Sequence, residues 1–159
     1  MSLDPAIRPA TEAEIEADWR EFTGGPPVIG ALRDYIPSDV EGLIWRDPAA
    51  GRHGLVSWWI EGERAEMVSV HAEPPGSGTG TRIMDAAEDE LRRRGVKTTI
   101  LATTNDNVRA LNFYQKRGYR LVRLQLEAMD RVRAAKPSVP LTGRDSVPLR
   151  DMWELEKML

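Results

Sequence analysis

The segment Pro74-Pro75-Gly76-Ser77-Gly78-Thr79-Gly80-Thr81-Arg82-Ile83-Met84 constrains the fold more than any other part of the chain. Three glycines alternate with small residues, and an apolar helical pattern begins at once, with Ile83, Met84, Ala87 and Leu91 on one face. Glycine lets the backbone take positive φ and come close to a ligand. A turn of this kind at a helix N-terminus presents amide N–H groups to an anion. Upstream, residues 55–60 and 65–70 read as a hairpin around Glu61-Gly62-Glu63-Arg64. Downstream, Gly95 ends the helix after three arginines, and residues 96–103 read as a strand. A crossover through one helix requires parallel strands, so the sheet is mixed.

The remaining elements fit the same α/β (α+β) class. Residues 6–9 read as a short strand. Thr11 caps a helix that reaches about Phe22, with Glu14 completing a capping box and Gly24-Gly25-Pro26-Pro27 stopping it. Residues 28–39 fit no single pattern, apart from a turn at Pro37-Ser38-Asp39. Residues 40–45 read as a strand, 107–117 as a helix stopped by Gly118, and 119–126 as a strand. Residues 127–135 suit a helix, 136–148 a proline-rich loop, and 149–159 either a strand or a short helix by pattern.

One domain of 159 residues accommodates this order. The absence of cysteine excludes a disulfide framework, a thiolate metal site and a Cys nucleophile, and two histidines exclude a His-rich metal site. No long apolar run spans a membrane and no signal-peptide core opens the chain, which leads us to expect a cytoplasmic protein. No basic stripe interleaved with aromatics points to nucleic acid. Charge is uneven: residues 1–50 carry ten acids against four bases, and the remainder fifteen against eighteen. That distribution suits a cationic acceptor on one side and an anionic cofactor on the other, or simply two solvated faces.

Spacing decides which anion loop this is. A dinucleotide fingerprint needs G-x-G-x-x-G, but Gly76 and Gly78 are followed by Thr81. A triphosphate loop needs G-x-x-x-x-G-K-[ST], but the matching positions hold Thr81 and Arg82. The run Pro75-Gly76-Ser77-Gly78-Thr79-Gly80 instead resembles the pyrophosphate loop [Gln/Arg]-x-x-G-x-[Gly/Ala] of the GNAT superfamily of N-acetyltransferases, with proline in place of the leading Gln or Arg. Asn107-Val108-Arg109-Ala110-Leu111-Asn112-Phe113-Tyr114-Gln115-Lys116-Arg117-Gly118-Tyr119 is similar to that family's N-x-x-A-x-x-[apolar]-Y-x-K-x-G-[aromatic] helix. Residues 7–11 and 147–156 also look like the opening and the tail of bacterial members.

The resemblance implies a mostly antiparallel sheet with helices on both faces and a V-shaped splay between two central parallel strands. It makes the last element a strand. It divides the domain into an acceptor side (1–50), an acetyl-CoA-binding core (51–126) and a C-terminal helix, loop and strand (127–159). It implies an acetyl-CoA-dependent N-acetyltransferase acting on an amine of a small molecule or protein, without a metal. The alternative is a non-catalytic acyl-CoA-binding module of the same fold. Backbone groups of Val68, Ser69 and Val70 would pair with the pantetheine arm, and amides of Gly76, Ser77, Gly78, Thr79, Gly80 and Thr81 would hold the pyrophosphate. Asn107, Ala110 and Tyr114 would complete the cofactor site.

Tyr114 matches the general acid, because a phenol stays protonated near neutral pH and can hand a proton to a thiolate. Glu66 and His71 are both candidate bases, with Glu73 a more remote one. A carboxylate needs a raised pKa or a water relay for that task, whereas histidine is naturally matched to it. Arg82, Arg109, Lys116 and Arg117 are candidates to compensate for Pro75 and Ser77 around the phosphates. Trp19, Phe22, Tyr35, Trp58 and Trp59 either wall an acceptor pocket or fill the core. A C-terminal strand after a long loop also leaves a homodimer open.

Overall fold

The computed structural model describes residues 6–159. β1 (Ile7–Pro9) leads through Thr11 into α1 (Glu12–Phe22). The capping box forms: the Glu14 amide donates to Thr11 Oγ1 at 3.2 Å and the Thr11 amide to the Glu14 carboxylate at 2.9 Å. The segment without a clear pattern folds into a ribbon of β2 (Val28–Ile29) and β3 (Asp34–Tyr35), followed by a 3-10 turn at Pro37–Asp39. β4 (Glu41–Asp47), β5 (Arg52–Glu61) and β6 (Arg64–Glu73) make an antiparallel meander. Then come α2 (Thr79–Arg93), β7 (Thr98–Thr104), α3 (Val108–Lys116), β8 (Arg120–Gln125), α4 (Ala128–Ala135) and β9 (Met152–Met158).

The main sheet runs β1-β4-β5-β6-β7-β9-β8. The last element is the strand that the resemblance implied, and it enters between β7 and β8, antiparallel to both. β6 and β7 are the parallel neighbours. They pair only at residues 64–66 with 98–100 and then diverge. Beyond Glu66 and Ile100 the facing edges of the two strands open a gap, the expected V-shaped splay. Unpaired strand edges carry N–H and C=O groups that seek partners, so the gap is where an extended ligand adds most readily.

Helices cover both faces. Trp58, Met67, Ile83, Met84 and Leu91 pack on the α2 and α3 side. Ile15, Trp19, Tyr35, Ile44 and Leu55 pack on the α1 side. Trp58 and Trp59 therefore face opposite sides, as strand alternation requires. Replacing a fully buried side chain such as Trp19 by alanine costs about 3–5 kcal/mol through lost burial and the cavity left behind. No helix of the described residues is long and apolar enough to cross a membrane.

β6 carries one irregularity. Ser57 pairs with Ser69 and Trp58 with Met67, so Val68 is an extra residue on β6, a β-bulge. Glu66 and His71 are five apart and would lie on opposite faces of a regular strand. The bulge resets the alternation, which puts Glu66, Ser69 and His71 on the α1 face and Met67 and Val70 on the α2 face.

Candidate active site

A cavity of about 700 Å³ occupies the splay on the α2 and α3 side. Its floor is Val70 and Ala72 of β6, its rim the loop from Pro74 to Gly78 with Gly80 and Thr81, and its far wall Asn107, Arg109, Ala110, Phe113 and Tyr114 of α3. The loop takes its shape from glycine: Gly76 and Gly78 have φ of 75° and 81°, a region costly for other residues. Gly78 caps α2, whose first turn carries no acid. The positive end of that helix dipole is left unopposed at the cavity rim.

A second cavity of about 550 Å³ lies on the other side of the splay. It is lined by the end of α1 (Phe22, Thr23), by β2, by Val68 to His71, by Ala102 to Thr104 and by α4 with the loop after it. The two cavities share Val70, Asn107, Ala110, Tyr114 and Arg144. Tyr114 stands at this junction, 8% exposed, edge-on to Phe113 and Tyr119. Burial raises its pKa well above the ordinary phenol value, against the opposing charge of Arg117. Its hydroxyl makes no hydrogen bond among the described residues. Near neutral pH it is a protonated donor.

His71 lines the second cavity next to Val70. Its ring stacks on Phe22, with centroids 4.6 Å apart, and its Nδ1 is 2.5 Å from Oδ2 of Asp18. Asp18 is 4% exposed, and its Oδ1 has no hydrogen-bond partner, with His53 Nε2 3.6 Å away. A carboxylate on Nδ1 fixes the tautomer with the proton on that nitrogen and leaves Nε2 as the basic atom. The pair is thus an imidazole held in orientation and able to accept a proton from within the cavity.

Glu66 is in a different situation. It is 1% exposed and lines neither cavity. Its carboxylate accepts from the Ala31 amide at 2.5 Å, the Leu32 amide at 2.9 Å and the Tyr35 hydroxyl at 2.6 Å. Burial lifts its pKa above the ordinary range, against the pull of those three donors. Gly30 leaves room for this: a Cβ there would strike the carboxylate and the Tyr35 ring. Glu66 ties the β2–β3 ribbon to the sheet. The structure separates it from the second cavity, which His71 and Tyr114 both line.

The other sequence-predicted positions divide similarly. Val70, Gly76, Ser77, Gly78, Gly80, Thr81, Asn107, Ala110 and Tyr114 line the larger cavity. Val68 and Ser69 line the second one instead. Thr79 lines neither: it is 2% exposed, packs on Gly54 and shares a hydroxyl hydrogen bond with Ser77. Asn107 caps α3 through Ala110 and also faces both cavities. Of the four basic candidates, Arg109 reaches the rim beside Gly76. Arg117 is held by Asp85 and Glu88, Arg82 lies over the Trp45 ring, and Lys116 is exposed. Among the aromatics, Phe22 walls the second cavity, while Trp19, Tyr35 and Trp58 are core and Trp59 borders a separate shallow pocket with Arg33.

Residues 15–119 match the acetyltransferase (GNAT) family. The chain belongs to that family. A relative, the uncharacterised protein YxbD of Bacillus subtilis, is 34% identical over 145 residues, 91% of each chain. Two solved structures share the fold over 96% of this chain: the IAA acetyltransferase of Bacillus cereus (98% of its chain covered, TM-score 0.75, 15% identity) and a GNAT acetyltransferase of Elizabethkingia anophelis with acetyl-CoA bound (97% covered, TM-score 0.70, 16% identity).

Four residues of this GNAT site escaped sequence reasoning. Asp18 had a signal: it is a charge on the apolar face of α1, three residues after Ile15 and four before Phe22. Asp106 lies in the turn between β7 and α3, and Lys136 and Arg144 in the proline-rich loop, where no periodicity marks them. Asp106 takes the Thr104 hydroxyl and both the backbone amide (2.9 Å) and the guanidinium (3.1 Å) of Arg144. Burial would raise its pKa, but those donors hold it below the ordinary range. Asn105 fastens the same loop through Pro148, Arg150 and Asp151. None of the described acids in residues 6–50 lines the second cavity. Two of them, Glu41 and Asp34, pair outside the segment with Arg94 and Arg131.

Among the described residues no three His, Cys, Asp or Glu side chains are grouped to hold a metal ion.

Proposed function

We propose that this protein is an acetyl-CoA-dependent N-acetyltransferase. Coenzyme A lies in the larger cavity, and an amine acceptor enters through the second. The observation that carries this reading is the junction: Tyr114 lines both cavities, and His71, next to the shared Val70 and held by Asp18, lines the second.

Amides of the loop from Gly76 to Thr81 and the start of α2 take the pyrophosphate, with Arg109 beside Gly76. That puts the grip on backbone donors and one helix dipole, in keeping with Pro75 and Ser77. The pantetheine arm follows the free edge of β6 at Val68, Ser69 and Val70. The Val70 amide polarises the thioester carbonyl, the role of an oxyanion donor. The amine nitrogen attacks that carbon and a C–N bond forms. His71 Nε2 takes the proton from the nitrogen, and the resulting imidazolium is stabilised by Asp18. The C–S bond breaks, and Tyr114 gives its proton to the leaving sulfur. A water returns the phenol proton, and the imidazolium releases its own to solvent. A base and an acid placed in this way each contribute about 10²- to 10⁴-fold.

Glu66 supports this site without joining it, since three donors hold its two oxygens and it lines neither cavity. Calorimetry with acetyl-CoA, CoA, ATP and NAD, followed by an amine screen that reads CoA release, tests the proposal. Binding of the first two alone, with turnover of an amine, is expected. Absence of CoA binding overturns it, and CoA binding without turnover of any amine favours a binding module of the same fold. The chain has no cysteine to interfere with a thiol-reactive readout.

A further inference from the structure

The second cavity contains an unmatched cation. Lys136, at the end of α4, is 8% exposed and lines the cavity. Its Nζ donates to the Thr23 carbonyl at 2.9 Å. No Asp or Glu of the described residues pairs with it. An ammonium carries three N–H donors, so one is used and two are not. Burying such a charge without a counter-ion is costly, and burial accordingly lowers the Lys136 pKa.

The surroundings offer no relief. Met129, Val132, Val139, Leu149 and Met152 line the same cavity as apolar wall. The one carboxylate there, Asp106, is occupied by Arg144 and Thr104. The lining thus carries two cations, Lys136 and Arg144, against one satisfied anion. This is the opposite of the acidic acceptor side that the charge of residues 1–50 suggested.

Resting on the acetyltransferase reading above, we propose that the acceptor is an amine that also carries a carboxylate, and that Lys136 is the residue that binds that carboxylate. The carboxylate supplies the missing counter-ion and the acceptors for the two open N–H donors. An amine without an anionic group enters a cavity whose charge already opposes it. The Thr23 hydrogen bond remains in place and serves as the tether that keeps the ammonium at the cavity wall. Lys136 is a specificity-determining residue here: it acts on binding, while His71 and Tyr114 act on the bond changes.

The test uses the full-length protein and matched pairs: glycine, β-alanine and γ-aminobutyrate against their carboxamides, read by CoA release with acetyl-CoA saturating. The pairs differ in the anionic group, and the series varies its distance from the amine. In the wild type at least one free acid is expected to exceed its carboxamide by tenfold or more in kcat/KM. Lys136→Met should bring that ratio near one through KM for the acceptor, with KM for acetyl-CoA unchanged, and Lys136→Arg should keep most of it. Equal or better use of the carboxamides, or no turnover of any free acid by protein shown calorimetrically to bind CoA, overturns the carboxylate assignment and leaves the acetyl-CoA site standing. Failure to bind CoA overturns the parent reading as well. The wild-type comparison decides the matter even if Lys136→Met does not fold.

Discussion

Two buried carboxylates flank the same stretch of β6 and do different work. Glu66 has each oxygen met by at least one of three donors, two of them backbone amides of the ribbon loop. Asp18 has one oxygen on a histidine that reaches a cavity and another with no hydrogen bond. Both are nearly inaccessible, so burial does not separate them; the partners do. A carboxylate saturated by rigid donors is a fastener. A carboxylate on an imidazole facing a cavity orients a proton acceptor. A raised pKa, as Glu66 has, is therefore insufficient to nominate a base when rigid donors hold the carboxylate away from the cavities.

The largest expected effect falls on the cavity side of this comparison. Tyr114→Phe should lower turnover in a chemistry-limited assay by about 10²- to 10⁴-fold, with CoA affinity nearly unchanged by calorimetry. Because burial raises the Tyr114 pKa, the phenol stays protonated throughout the neutral range. Loss of its ionisable hydroxyl should then lower the rate at every pH from 6 to about 9 by a similar factor, without moving the limbs of the profile. A changed profile shape in Tyr114→Phe, or an unaffected rate, removes it from the acid role.

The fastener side predicts a stability effect. Glu66→Gln turns an acceptor oxygen into an NH₂ group facing donors. Each donor left unpaired costs about 1–3 kcal/mol, and Tm falls by about 2–4 °C per kcal/mol for a domain of this size. The rate per folded molecule should be preserved. A large rate loss at unchanged stability would erase the distinction between the two carboxylates.

The smallest effect belongs to the exposed end of α1. The side-chain hydrogen bond from Arg8 and the Thr11 amide hold the Glu14 carboxyl down to about 2. The folded-state pKa is depressed, so the stabilisation is present above the ordinary carboxylate value of about 4.3 and is lost as pH falls toward 2. Glu14→Gln should cost at most about 1 kcal/mol at neutral pH, flatten that acid-side loss in a denaturation series, and leave turnover untouched.

How far the sequence carried these assignments follows from the physics of each residue. Capping residues, glycine turns and strand alternation are local, and they placed α1, the β5–β6 hairpin, α2 and α3 where the structure has them. The identity of the last strand came from the family tail, but its insertion between β7 and β8 did not, because pairing order depends on long-range contacts. Glu66 and His71 stayed equivalent candidates for the same reason. Only the extra residue at Val68 brings both to the α1 face, and a bulge leaves no mark in the hydrophobic pattern. Lys136 and Arg144 were invisible because the loop that carries them is shaped by Asn105 and Asp106 through hydrogen bonds that span 38 to 45 residues.

The central claim is that proton removal from the amine passes through His71 and not Glu66. A single-turnover measurement of acetyl transfer tests it most directly, run on wild type, His71→Gln and Glu66→Gln with CoA-site saturation verified for each. The account predicts a loss of about 10²-fold or more for His71→Gln and a rate per folded molecule within about threefold of wild type for Glu66→Gln. The reverse order of the two variants would contradict it.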